Sequence, residues 1–156
     1  TAVSAGPLLD RVMDGHTEMA IAIPVAAGGR GGFGIVKRVA GEAIEQATSQ
    51  RMQAPLSGQR AIIGDRLRSI ESAPRFGLEV AMSIDLLRAG CSYEEIDLPI
   101  EHHHTGRTFA GFRHRAGQGI DVCRAVVPRI GLRGLVGVLA RSVRNNDSAI
   151  ESTTAP

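Results

Sequence analysis

The residues best suited to chemistry fall in two places. One is the stretch from Phe76 to Arg115, FGLEVAMSIDLLRAGCSYEEIDLPIEHHHTGRTFAGFRHR; the other is the earlier turn APLSGQRAI, which holds Ser57, Gly58 and Arg60. Glu79 stands in the first turn of an otherwise apolar helical segment. A carboxylate there is either stabilised by the helix N-terminus or held in a cleft as a base. The first is the commoner case for one isolated Glu. His102, His103 and His104 follow a strand-like run. On extended backbone only His102 and His104 share a side, so the three rings cannot easily hold one ion. One imidazole can complete a carboxylate-held Mn2+ or Mg2+, although a His triplet in a loop is more often simply solvated. No Cys or second His group has zinc-site spacing. Arg60, Arg107, Arg113 and Arg115 offer guanidinium forks for phosphate oxygens, and Ser57-Gly58 adds a hydroxyl and backbone N–H.

These groups need elements to position them. Gly6-Pro7 and LLDRVMDG predict a short helix with Pro at its start and Gly15 at its stop. Glu18–Val25 is an apolar run suited to a buried parallel strand. The loop 26–34, AAGGRGGFG, holds five glycines but lacks the spacing and the Lys-Ser/Thr of a P-loop. Apolar residues at 35, 36, 39, 40, 43, 44 and 47 predict a helix over 33–50. A turn at 54–59 leads to a short strand, and 65–69 predicts a short helix that Asp65 caps. The segment 76–89 is apolar nearly all round and predicts a buried helix ended by Gly90, with Asp85 and Arg88 as an ion pair along it. Residues 92–101 alternate as a strand. Helices are expected over 107–127, stopped near Pro128, and over 132–143, with 145–156 a disordered tail. Helices alternating with strands indicate α/β.

Composition agrees with one globular domain. The chain has 156 residues, 43% hydrophobic and 22% charged, so it is not a disordered polymer. Aromatic residues are only 3%, so the core must be Val, Ile, Leu and Ala. The net charge of +2 is too mild to argue nucleic acid by itself. Its distribution is uneven: from His102 to Arg144 there are eight arginines and one acid, Asp121. That suits phosphates, diphosphates or lipid head groups, or simply a solvated basic face. Cys91 and Cys123 form no CxxC and read as buried thiols in a reducing compartment. The opening, TAVSAGPLLDRVMDG, is not an apolar run behind basic residues, so no signal peptide is expected.

The segments EMAIAIPV, GGFGIVKRVAGEAI, APLSGQRAI, FGLEVAMSIDLLRAG and IDLPIEHHHTGRTFAGFRHRAGQGIDV together resemble the C-terminal half of the family-2 glycosyltransferases with the GT-A fold. That group includes dolichol-phosphate mannose synthases and glucosyl-3-phosphoglycerate synthases. The similarity runs roughly from Leu8 to Val127, and its most specific part is the strand followed by His102-x-x-Thr105-Gly106-Arg107. The resemblance implies a partial GT-A mixed sheet flanked by helices over residues 1–144, without the N-terminal nucleotide-binding strands. It implies inverting sugar transfer from a nucleotide-diphosphate donor to a phosphate-bearing or polyprenyl-linked acceptor. A Mg2+ or Mn2+ ion would act as Lewis acid on the leaving group. His102 would be a metal ligand. Ser57, Gly58 and Arg60 would lie at the acceptor or donor phosphate, Arg107 near the phosphates, and Glu79, a catalytic residue, near the sugar or acceptor; the resemblance does not single out which carboxylate is the base. A cytoplasmic site, at the inner face of the membrane for a lipid-linked acceptor, is the expectation, and nucleic acid is not.

Members of that family carry an Asp-x-Asp metal motif, and this chain has none; its aspartates are 10, 14, 65, 85, 97, 121 and 147. The chain therefore reads as the C-terminal portion only, expected to be inactive alone. A sheet cut in this way exposes an apolar face, so poor nucleotide-sugar affinity and self-association are expected. The competing reading is a non-catalytic binding module or inactive remnant that uses the basic helices on anionic lipid or a partner protein.

Overall fold

The computed structural model describes residues 5–24, 34–71, 73, 75–99 and 109–151, of which 76, 109–116 and 145–151 are described as backbone only. It is a mixed α/β structure: a three-stranded sheet with helices on both faces.

Strand β1 (Met19–Pro24) lies between β2 (Arg60–Ile62) and β3 (Tyr93–Leu98). It pairs parallel with β3, from Met19 opposite Tyr93 to Pro24 opposite Leu98, and antiparallel with β2, with Ile21 opposite Arg60. The central place explains its sequence, MAIAIP: a strand covered on both faces has no position for a polar side chain. Its residues divide by parity between two cores. Met19 and Ile21 face the larger one, with Val39 and Ile44, Val80 and Ile84, and Val122 and Val126. Ala20 and Ala22 face the smaller one, with Leu8, Ala61 and Leu98.

Helix α1 (Gly6–Met13) covers the alanine side and buries Leu8. Small residues there let a short helix sit close. On the other side lie α2 (Gly34–Thr48), α4 (Leu78–Arg88) and α5 (Phe109–Glu151). Helix α4 is the innermost: Val80 to Ile84, Leu86 and Leu87 are all buried, as its all-round apolarity requires. A 3-10 turn, Arg75–Gly77, leads into it. Gly90 ends it at φ 75°, with Cys91 N–H donating to the Leu86 carbonyl and Gly90 N–H to that of Leu87. This is the Schellman arrangement, and the left-handed residue favours glycine.

Three local expectations are corrected. Asp65 does not cap α3 (Gly64–Arg68), whose N-cap is Ile63; its carboxylate pairs with Arg68 instead. Asp85 pairs with Arg129 of α5, through Nε at 2.8 Å and through Nη2, and not with Arg88. The break near Pro128 comes three residues later, at Gly131 (φ 72°, ψ 169°), so α5 is two helices joined at a kink. Arg88 donates to the carbonyls of Ala47, in the last turn of α2, and Arg129, just before the kink. It thus serves orphan carbonyls at two helix ends. The helical backbone continues through 145–151, into the segment expected as a tail.

Candidate functional site

Parallel strands β1 and β3 end at one rim of the sheet, and antiparallel β2 begins beside the middle of β1, with Arg60 opposite Ile21. Ala22 N–H donates to the Gln59 carbonyl at 3.0 Å, which draws the 57–60 segment to that rim. Just before it is a turn, Ala54-Pro55-Leu56-Ser57, closed by Ser57 N–H to the Ala54 carbonyl at 3.1 Å. Proline at the second position pre-sets the turn.

Arg60 gathers this region. Its Nε donates to the Ser57 carbonyl (2.6 Å), Nη2 to the Pro55 carbonyl (3.1 Å), and Nη1 to Ser83 Oγ (2.7 Å) and the Glu79 carbonyl (3.3 Å). Ser83 Oγ in turn donates to the Glu79 carbonyl at 2.7 Å. One side chain therefore ties the turn before β2 to the first turns of α4. The position pulls the Arg60 guanidinium down to about 10, because burial disfavours the charged form; Glu79, and then Glu95, act in the other direction. Arg60 still carries its charge at neutral pH.

The consequence is that Gly58 and Glu79 meet, with Ser57 next to Gly58 in the chain. A Cβ built on Gly58 would stand 3.5 Å from Glu79 Oε1, so the carboxylate lies over the one residue of the turn without a side chain. Gly58 is exposed and Ser57 and Glu79 are half-buried, so the group is open to solvent. A carboxylate, a hydroxyl and a bare backbone at a sheet rim form an arrangement that can accept a proton from a bound hydroxyl.

Arg60 was expected at a phosphate. Four donated bonds point inward, so the fork acts on this turn rather than facing outward as an anion clamp. His102 and Arg107 lie outside the described residues, as does the glycine-rich loop 26–34 except for Gly34, which opens α2. The side chains of Arg113 and Arg115 are outside the description too. Among the described residues no group of three or more His, Cys, Asp or Glu is placed to hold a metal ion.

Two residues important to this geometry were not singled out from sequence. Ser83 is fully buried and links Arg60 to α4. Its signal was available: a hydroxyl four residues after Glu79 inside an apolar helix. Glu95 faces the same side of the sheet as Arg60, since both register with Ile21. Its carboxylate accepts from Gln53 N–H (2.9 Å) and Ala54 N–H (2.7 Å), fixing the other end of the turn. Nothing local in YEEIDL distinguishes Glu95 from Glu94, which instead approaches Arg11 of α1 at 3.6 Å.

Compared with protein families, with curated proteins and with solved structures, the chain matches none of them.

Proposed function

We propose that this chain supplies the acceptor side of an inverting, GT-A-like sugar transfer from a nucleotide-diphosphate donor to a phosphate-bearing or lipid-linked acceptor. The observation that carries the reading is the Glu79 carboxylate over Gly58, beside Ser57, at the rim where β1 and β3 end. Ligands of open α/β sheets sit beyond the carboxyl ends of parallel strands. In this reading Glu79 takes the proton of the acceptor, and Ser57 and Gly58 orient it. Arg60 holds the turn in place as a positioning residue. His102 would complete the shell of a Mg2+ or Mn2+ ion, which supplies Lewis acidity to the leaving diphosphate, and Arg107 would face the phosphates.

A second reading, a non-catalytic binding module or inactive remnant that recognises anionic lipid or a partner protein, is favoured by the lack of an Asp-x-Asp in the chain. Amide chemical shifts separate the two. Titration with 3-phosphoglycerate or a short polyprenyl phosphate is expected to move Ser57, Gly58 and the first turn of α4, and Glu79→Gln is expected to change that response. Shifts confined to the arginine-bearing α5, or no response at all, would defeat the sugar-transfer reading.

A further inference from the structure

The second half of α5 carries an apolar face that no described residue covers. Leu132, Val136, Leu139 and Val143 recur at spacings of four, three and four, which places them on one side of the helix. Their exposures are 70%, 66%, 39% and 60%. The opposite side is anchored: Val138 and Ser142 are buried, Arg141 donates to Glu42 at 2.9 Å, and a Cβ on Gly134 would stand 2.7 Å from Gln46 Nε2. The helix is thus held on α2 by one face while presenting hydrocarbon on another.

Charge indicates what would cover it. Arg133 and Arg144 are exposed and lie about 100–120° round the helix from Leu132, along one border of the apolar face. From Val122 to Asn146 the chain has no acidic residue. Leu139 also lines an apolar cleft of about 570 Å3 between α2 and α5, with Ile35, Ile120 and, at its edge, Arg124. Two copies packed face to face with their helices antiparallel would set the arginine border of one against that of the other, and no acidic residue from Val122 to Asn146 relieves them. A protein partner would ordinarily be met with aromatic anchors, and this face has only Leu and Val. Aliphatic side chains edged by guanidinium groups, whose stems can lie along hydrocarbon while their heads reach phosphate, suit an anionic lipid surface.

We infer that this protein docks peripherally on anionic bilayers through the Leu132–Val143 face of α5, with Arg133 at the head groups. Among the described residues no helix is long and apolar enough to cross a membrane, so the attachment is to one leaflet. The inference does not depend on the sugar-transfer reading, because it involves neither Glu79 nor the turn at Ser57.

Vesicle flotation with the full chain tests it. Binding is expected to mixed phosphatidylcholine–phosphatidylglycerol vesicles, falling as salt is raised, and not to phosphatidylcholine alone. Joint replacement Leu132→Ser, Val136→Ser and Val143→Ser should weaken partitioning on the order of tenfold or more. Arg133→Glu, which leaves the apolar face intact and guards against a folding defect in the triple variant, should weaken it roughly fivefold for each unit of charge changed. Failure of the parent chain to float with anionic vesicles overturns the inference. Equal binding by both variants does so too. So does a dimer in light scattering that the triple replacement converts to monomer without any vesicle binding, which would assign the face to a second copy.

Discussion

Arg60 and Glu79 are two charged residues that serve different purposes side by side: one holds the turn, the other stands half-buried beside an open glycine. Arg60 is tied to three backbone carbonyls and one hydroxyl, and the fully buried Pro55 is among its partners. Removing it takes the donor from the Ser57 and Pro55 carbonyls and from Ser83 Oγ in a partly desolvated place, while the Glu79 carbonyl keeps Ser83 Oγ. Arg60→Ala is expected to destabilise by about 2–4 kcal/mol. Arg60→Lys should cost about 1–3 kcal/mol, because an ammonium cannot reach the directions of a planar fork. Urea unfolding measures both. Glu79→Gln, by contrast, should leave stability within about 0.5 kcal/mol, since its carboxylate is half-buried beside an open glycine. A large loss of stability in Glu79→Gln would make this carboxylate a structural group and remove the catalytic assignment.

Between elements, α4 meets α5 through an ion pair as well as through packing. The Asp85–Arg129 pair joins them, with side chains 24% and 14% exposed. Because solvent still reaches the pair, Asp85→Asn is expected to cost about 1–3 kcal/mol, less than a fully buried pair would. A double-mutant cycle should give coupling of that order with Arg129 and under about 0.5 kcal/mol with Arg88, its neighbour in sequence. Gly77 lies at the same junction. A Cβ there would stand 2.6 Å from Ala125 Cβ and 2.7 Å from the Asp121 carbonyl oxygen. Neither atom is the flexible end of a side chain, so Gly77→Ala must push α5 away from α4. A loss of about 1–3 kcal/mol is expected, read from the denaturation midpoint. Gly58→Ala makes a useful contrast: its Cβ would meet only the Glu79 carboxylate, at 3.5 Å, so it should perturb ligand response more than stability.

For the molecule as a whole, Glu18 laces the start of the sheet to the helices. Its carboxylate accepts from Arg66 Nε (2.8 Å) and Ser92 N–H (3.0 Å), while its own N–H donates to Ser92 Oγ (3.1 Å). The Arg66 hydrogen bond, then that from Ser92, holds the Glu18 carboxyl below its ordinary value of 4.5. A carboxyl that is more acidic when folded adds stability above the unfolded value, and this is lost as pH falls through the lower, folded one. The parent chain should therefore lose part of its stability below about pH 4.5, and Glu18→Gln should show a shallower acid limb in urea unfolding across that range. Calorimetry of the chain with nucleotide sugars and Mn2+ is expected to show only weak binding, since the Asp-x-Asp carboxylates of the proposed enzyme class are absent from its sequence. Tight, metal-dependent binding would contradict that expectation.

Alternation and apolar periodicity by themselves determined the element order, the central strand at 19–24 and the buried helix at 78–88, because a strand or helix covered by others must be apolar on every covered side. The nearness of Ser57, Gly58, Arg60 and Glu79 was expected from resemblance alone, since no local pattern links residues about twenty positions apart. Only the tertiary structure decided which way Arg60 points, which carboxylate pairs with Arg129 and where α5 bends. Each of these depends on a neighbour distant in sequence. Asp85 turns to α5 because Arg129 is packed against it, and the helix passes Pro128 to break at Gly131, where glycine tolerates the required dihedral angles. The exposed face at 132–143 is the reverse case: its spacing is plain in the sequence, but that it stands uncovered among the described residues is a fact of packing, decided when Val138 and Ser142 took the side toward α2.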